Sequence, residues 1–274
     1  MRDSIDMSTR TPILMYHGIA EDPSRAPTRW SPRHTITLDA FRAHMSLLRA
    51  DGWRTLSSPE MRSGPHGCAA KRLCITFDDG HGSDPMAGEI LAGCGFNAIF
   101  FITLEHLGRL GFVTRDAVRA LSRQGFEIGS HGMTHTRMSA LPEMALRWEL
   151  YESRRRLEEL IDAPVKIFAC PFGAYNRRVV ARARSAGYSV VMTSNIGRAR
   201  LGASEILPRL PIRNDTRLDE FRAMMSESVF LTARRRLRAA ALRRRNLIKT
   251  ILDRGWRGWK EQTRRRDGGG DLMA

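Results

Sequence analysis

The apolar positions of the chain form short runs that alternate with stretches of helical periodicity. Apolar runs of four to eight residues bounded by turn residues are typical of buried strands, whereas apolar residues spaced three and four apart indicate one face of a helix. The pattern predicts seven strands, at residues 12–16, 72–77, 98–103, 126–129, 165–170, 188–193 and 205–210.

Amphipathic helices are predicted between most of these strands, at residues 38–50, 85–93, 115–124, 142–161 and 177–186. Several end at a glycine (Gly93, Gly125, Gly187), which tolerates the left-handed conformation that closes many helices. Residues 22–32 and 57–66 contain Pro and Ser and are predicted to be surface loops. Strands separated by helices imply an α/β fold with a parallel sheet, either wound open or closed into a barrel.

Polar clusters follow several of the predicted strands directly. The carboxyl ends of the strands of a β/α barrel converge on one face, where reacting groups collect. The clusters are Tyr16-His17-Gly18, Asp78-Asp79-Gly80, Ser130-His131-Gly132 with His135 nearby, and Pro171-Phe172-Gly173. Their positions at the strand ends therefore favour a barrel.

These residue types suit metal-assisted hydrolysis. Alone, each motif is weak, because Asp-Asp-Gly is also an ordinary turn and two histidines at this spacing often occur by chance. Together, one carboxylate and two imidazoles can hold a divalent ion, which lowers the pKa of a water molecule and polarises a carbonyl oxygen. A second carboxylate can accept the proton of that water, and an imidazole opposite can protonate the leaving group. The predicted reaction is hydrolysis of an amide or ester.

Composition is that of a soluble globular protein. Of the 274 residues, 42% are hydrophobic and 27% charged, and no apolar run approaches the roughly 18 residues of a membrane span. The four cysteines form no Cys-x-x-Cys pair, which is typical of a reducing compartment. The first residues lack the basic-then-apolar layout of a secretory signal. We therefore expect a cytoplasmic protein.

The charge is concentrated near the carboxyl end. The net charge is +16, and residues 231–274 alone carry 14 basic and 4 acidic side chains. Ile248, Leu252, Trp256 and Trp259 fall on one face of a predicted helix, and the last residues are expected to be disordered. We divide the chain into a barrel at residues 1–230 and a basic helical tail at 231–274. Three partners for the tail stay open, in decreasing order of preference: the barrel, an anionic membrane surface and nucleic acid.

Two of the motifs resemble those of a known family. Thr76-Phe77-Asp78-Asp79-Gly80 and Ser130-His131-Gly132-Met133-Thr134-His135 are similar to the first two motifs of the polysaccharide deacetylase superfamily, carbohydrate esterase family four, which includes nodulation-type chitooligosaccharide deacetylases. Residues 168–173 are similar to the third motif, and the resemblance extends from about Thr11 to about Ile212.

The resemblance implies a distorted seven-stranded β/α barrel and metal-dependent removal of acetyl groups from sugars. It implies a divalent ion, for which we favour Zn²⁺, and a backbone N–H after the third-motif strand that helps to hold the oxyanion. By position, Asp78 is the general base, the metal ligands are Asp79, His131 and His135, and the groove wall is formed by Pro171, Phe172 and Gly173.

The chain departs from the usual motifs in three places. Ala169 stands where the third motif usually has Arg, the fourth-motif Asp is not recognisable, and Leu207-Pro208-Arg209 replaces the late Leu-x-His. Residues 14–19, however, resemble the opening of a circularly permuted branch that includes poly-N-acetylglucosamine deacetylases, in which the acid-bearing strand comes first. This assigns His17 as the general acid and Arg209 as the partner of Asp78, with Tyr16 beside the substrate.

Two functions follow as hypotheses. The first is a de-N-acetylase that acts on an N-acetylhexosamine in a polysaccharide, oligosaccharide or lipid-linked saccharide, at the cytoplasmic membrane face if the tail binds lipid. The alternative, motivated by the departures, is a catalytically impaired barrel that binds glycans or membrane surfaces. His34, His81 and His106 have no predicted partner, although His81 is close enough to the first motif to line the groove.

Overall fold

Seven parallel strands close into a barrel in the computed structural model, which describes residues 10–27, 29–63, 71–202 and 204–226. Each strand pairs with the next in the chain, and the last pairs with the first. The predicted seven-stranded β/α barrel is therefore confirmed, with every strand within a few residues of its expected position. The strands are β1 (Ile13–Tyr16), β2 (Arg72–Phe77), β3 (Ile99–Ile102), β4 (Glu127–Ser130), β5 (Ile167–Ala169), β6 (Val190–Ile196) and β7 (Ile206–Pro211).

Three of the described helices start at a side-chain cap. The side chains of Thr37, Thr114 and Asn176 each accept a hydrogen bond from a backbone N–H in the first turn of the helix that follows. The helices are α1 (Leu38–Ala50), α2 (Ser58–Ser63), α3 (Asp84–Cys94), α4 (Arg115–Arg123), α5 (Glu143–Ile161), α6 (Arg177–Ser185) and α7 (Leu218–Met225).

Helix α2 corrects the prediction of a loop at residues 57–66. Glu60 accepts hydrogen bonds from both the backbone N–H and the hydroxyl of Ser57, at 2.8 and 2.7 Å. The bond from the Ser57 N–H is one half of a capping box, for which Ser-x-x-Glu is the sequence signature, and Pro59 is tolerated because it lies in the first turn. Helix α7 was not predicted either.

Alternation along the strands decides which side chains enter the barrel. The interior is filled by residues such as Ile13, Cys74, Phe101 and Met192. Successive side chains of a strand point to opposite faces, so positions two and four residues further on share the interior side. Continued past the strand ends, this period brings residues 17, 78 and 131 to the mouth of the barrel.

The chain divides into two compact units, at residues 1–221 and 222–274. The barrel belongs to the first. Our predicted boundary at 230/231 and the basic tail at 231–274 lie outside the described residues.

Among the described helices, none combines the length and apolar character that a membrane crossing requires.

Gly129 tests the packing of the barrel interior. A Cβ at this position would lie 2.4 Å from the Phe101 ring, so we expect Gly129→Ala to lower the free energy of unfolding by about 1–3 kcal/mol through overpacking. A Cβ at Gly93, on the exposed side of α3, meets nothing within 4 Å, and Gly93→Ala should be neutral or stabilise by up to about 1 kcal/mol. Urea unfolding measures both, and equal stability of the two variants would contradict this packing.

Candidate active site

Three side chains from two loops converge at the mouth of the barrel. The Nε2 atoms of His131 and His135 lie 3.3 and 3.0 Å from Oδ1 of Asp79. Asp79 and His135 adopt positive φ angles of 79° and 56°, which is unusual for residues other than glycine and is common at functional sites. The loops after β2 and β4 thus hold the three predicted metal ligands together, with ligand atoms within 4.8 Å of one another.

The donor atoms of this cluster fit a divalent cation. Nδ1 of His131 lies 2.9 Å from the carbonyl oxygen of Ala169, so this nitrogen carries the proton and Nε2 directs a lone pair towards Asp79. Oδ1 of Asp79 is buried and accepts no hydrogen bond from the described residues. Two imidazoles and a carboxylate that converge in this way form a common site for Zn²⁺ and related ions.

Asp78 forms a buried pair with Arg209, a residue of β7. The Nη1 and Nη2 atoms of Arg209 lie 2.6 and 2.7 Å from the two carboxylate oxygens, and the side chain is 0% exposed. Arg209 also donates to the Thr193 carbonyl and the Thr76 hydroxyl, both at 3.1 Å. Burial raises the pKa of Asp78, but the charge and hydrogen bonds of Arg209, together with the nearby histidines, outweigh it and hold the pKa below its ordinary value. Asp78 is therefore an ionised carboxylate.

His17 follows β1 and lies at the same mouth. Its ring stacks on that of His34, with centroids 4.6 Å apart and planes at 18°. Burial lowers the pKa of His17 to about 3, although the charges of Asp79 and Asp78 oppose this. Its Nδ1 is buried and has no hydrogen-bond partner in the described ranges. The predicted acid is thus close to both aspartates but has no described carboxylate bonded to Nδ1.

Glu149 of α5 is a site residue that the sequence reasoning missed. It is buried and accepts hydrogen bonds from the backbone N–H groups of Met133 and Thr134, at 2.7 and 3.2 Å, and from the Thr134 hydroxyl. These bonds fix the loop between the two ligand histidines. No local signal distinguishes this glutamate from the solvated ones on the same helix.

His81 contacts the second oxygen of Asp79. Its Nε2 lies 3.4 Å from Oδ2, and its ring packs between Trp30 and Phe112. Trp30 donates to the carbonyl oxygen of Gly111 at 2.6 Å, which joins the loops after β1 and β3. The buried Trp30 ring packs against the His81 ring and holds it in place, and His81 in turn orients the Asp79 carboxylate.

The third motif forms a turn at Pro171–Gly173 directly after β5. Phe172 is 55% exposed at a φ of 58°, and its ring lies 4.6 Å from that of His135. Arg137 lies over the Phe172 ring at 4.9 Å. At Gly173, a Cβ would lie 2.7 Å from that of Ser194. The turn therefore forms a wall beside the ligand cluster.

Tyr16 does not reach the mouth, which corrects the expectation that it contacts substrate. Its hydroxyl lies 3.2 Å from Nδ1 of His44 in α1, and its ring packs against Phe41 and Phe77. The side chain is 1% exposed. Since Tyr16 precedes His17, strand alternation points it towards the helix layer.

Comparison with known proteins gives a family match at residues 67–191, to Polysaccharide deacetylase. The Bacillus subtilis protein YxkH is 27% identical over 195 residues, covering 69% of this chain and 66% of YxkH. A peptidoglycan-N-acetylglucosamine deacetylase of Bacillus cereus is 29% identical over 126 residues, covering 45% of this chain and 57% of the relative. The chain thus spans about two thirds or less of these relatives.

Among solved structures, the Streptococcus pyogenes deacetylase PplD in complex with acetate has the same fold, with a TM-score of 0.71. The similarity covers 79% of this chain and 98% of PplD at 22% identity.

The Asp78–Arg209 pair can be tested by a double-mutant cycle. Arg209→Met leaves a buried carboxylate without its partner and should cost about 3–5 kcal/mol of unfolding free energy. Adding Asp78→Asn should restore part of this loss, because the stranded charge is then removed. Arg217→Met, which breaks an exposed pair with Asp219, should cost no more than about 1 kcal/mol. Strictly additive losses at 78 and 209 in urea unfolding would rule out the coupling.

Proposed function

We propose, from the match of residues 67–191 to the polysaccharide deacetylase family, that the chain is a metal-dependent hydrolase that removes N-acetyl groups from N-acetylhexosamine residues of a saccharide. The observation that carries the proposal is the cluster of Asp79, His131 and His135 beside the ionised Asp78. A hydrolytic site needs a group that accepts a proton next to the group that activates the carbonyl, and this mouth offers both.

Asp79, His131 and His135 would hold the ion, for which we propose Zn²⁺. When bound there, such an ion acidifies water and polarises the acetamide carbonyl. Asp78 accepts the proton of the attacking water, and its two hydrogen bonds to Arg209 keep the carboxylate ionised and fixed in orientation.

The remaining groups act on the other side of the reacting carbonyl. His17 protonates the amine as acetate leaves, and the backbone N–H after β5 donates to the developing oxyanion. Pro171 and Gly173 set the course of the turn, and Phe172 supplies an apolar wall that limits access of bulk water beside His135.

The sugar is proposed from the relatives. The Bacillus cereus relative is named for peptidoglycan N-acetylglucosamine, which supports an acetylated amino sugar as the target. The saccharide that carries it can be a polysaccharide, an oligosaccharide or a lipid-linked saccharide. Binding of residues 231–274 to an anionic membrane, and a cytoplasmic location, stay predictions supported by composition alone.

A second function is favoured by the surroundings of His17. Its Nδ1 has no partner among the described residues, and burial lowers its pKa to about 3. An imidazole with this pKa carries no proton to donate near neutral pH, which would suit a barrel that binds acetylated glycans or membrane surfaces with little turnover. Acetate release from N-acetylglucosamine oligomers with added zinc separates the two functions.

Substitutions of the neighbouring Asp78 and Asp79 test whether the first is the base and the second a metal ligand. Asp78→Asn should retain bound zinc and lower kcat for acetate release by about 10²–10⁴-fold, because only the proton acceptor is lost. Asp79→Ala should lose both zinc and activity, because a ligand is lost. Elemental analysis and an acetate assay on the same preparations measure this, with far-ultraviolet circular dichroism as the folding control. Full activity of Asp78→Asn would exclude it as the base.

A further inference from the structure

The loop after β3, residues 103–114, lies between the two loops that carry the candidate metal ligands, because β3 pairs with β2 on one side and β4 on the other. The N–H groups of Leu104 and Glu105 donate to the carbonyl oxygens of Gly132 and Met133, at 3.2 and 2.9 Å. These two acceptors belong to the loop that carries the ligand histidines. Paired backbone hydrogen bonds therefore join the loop after β3 to one half of the site.

The other side of this loop is bonded to the loop that carries Asp79. The N–H of Val113 donates to the Gly80 carbonyl at 3.0 Å, and the N–H of Gly82 donates to the Gly111 carbonyl at 2.9 Å. The loop after β3 thus contacts both ligand loops, although it supplies none of the three candidate ligands.

His106, in the same loop, is bonded to the backbone of Asp79. Its Nδ1 lies 3.4 Å from the Asp79 carbonyl oxygen. A carbonyl oxygen can only accept, so Nδ1 carries the proton and donates. Asp79 holds a φ of 79°, and a residue other than glycine keeps such a conformation only where surrounding contacts determine it. The hydrogen bond from His106 is one of those contacts.

Neighbouring rings hold the imidazole of His106 in place. Its centroid lies 4.2 Å from that of Phe112 and 5.7 Å from that of the ligand His135. Phe112 is buried, and the backbone N–H of His106 donates to the Thr103 carbonyl at 3.1 Å. Packing and backbone bonding together give the donor a fixed orientation.

His106 acts on the candidate metal site from outside the ligand cluster. Among the described residues, the ligand atoms that lie within 4.8 Å of one another belong to Asp79, His131 and His135. A protonated Nδ1 has no lone pair for a cation, and this one is directed to a carbonyl oxygen. The contact therefore reaches the site through the backbone of a ligand.

We propose that His106 is a positioning residue for metal binding: its Nδ1–H fixes the left-handed backbone of Asp79, while the loop after β3 sets the distance between Asp79 and the ligand histidines. The inference rests on the proposed function, because it takes the cluster to be the metal site. Partners that orient metal ligands without touching the ion typically contribute about 10–100-fold in metal affinity.

Two substitutions separate the hydrogen bond from the packing of the ring. His106→Phe keeps a ring against Phe112 and removes the donor, whereas His106→Asn removes the ring and keeps an N–H donor near the position of Nδ1. The zinc dissociation constant of the full 274-residue chain is measured by competition with a chromophoric chelator. We expect His106→Phe to raise it about tenfold or more, and His106→Asn to keep it within about threefold of the wild type.

Matched variants provide the controls. Leu110→Ala changes an exposed side chain of the same loop and should leave the dissociation constant unchanged. His106→Gln places its amide near the position of Nε2 and should weaken zinc binding as His106→Phe does, so the comparison holds if one of the two does not fold. Urea unfolding of the metal-free proteins checks that each variant is folded.

The outcomes separate this inference from the proposed function. A zinc dissociation constant that His106→Phe leaves unchanged, or that His106→Asn raises more than His106→Phe does, would overturn the positioning role. Zinc binding in the expected order by a protein that releases no acetate would refute the proposed function and leave the positioning role standing. A wild type that binds no zinc would refute both.

Discussion

Closure of the barrel through β1 is the constraint on which the site depends. β1 pairs with β2 on one side and with β7 on the other, so it joins the strand that ends at Asp78 to the strand that carries Arg209. Because of this closure, Arg209 reaches the Asp78 carboxylate, 131 positions earlier in the sequence, and His17 follows the strand between them. In an open sheet with β1 and β7 at opposite edges, Asp78 would be a buried charge without its partner.

Local backbone geometry positions the metal-ligand candidates within their loops. Asp79 and His135 hold positive φ angles, and the loop between His131 and His135 is fixed by bonds to Glu149. Such conformations cost about 1–3 kcal/mol each and persist where surrounding contacts determine them. The buried bonds to Glu149 and the packing of His81 under Trp30 supply those contacts, which ties the geometry of the ligand cluster to residues remote from it in sequence.

Much of this could be predicted from sequence because the signals were local. Strand runs followed by Asp-Asp-Gly and His-Gly-Met-Thr-His place their side chains by alternation and by the common carboxyl edge of a barrel. The assignments that failed or were missing depend on tertiary contacts. Tyr16 is adjacent to His17 yet points to the helix layer, and the burial of Glu149 follows from helix docking. Helix α2 is different, since its Ser57-x-x-Glu60 signature is local and can be read from the sequence.

The proposed function requires one divalent ion bound by Asp79, His131 and His135. Crystals of the zinc-loaded protein, measured on both sides of the zinc absorption edge, test it most directly. We expect an anomalous peak within coordination distance, about 2.0–2.2 Å, of one carboxylate oxygen and two imidazole nitrogens. Anomalous density absent from this cluster, or located only elsewhere on the protein, would contradict it.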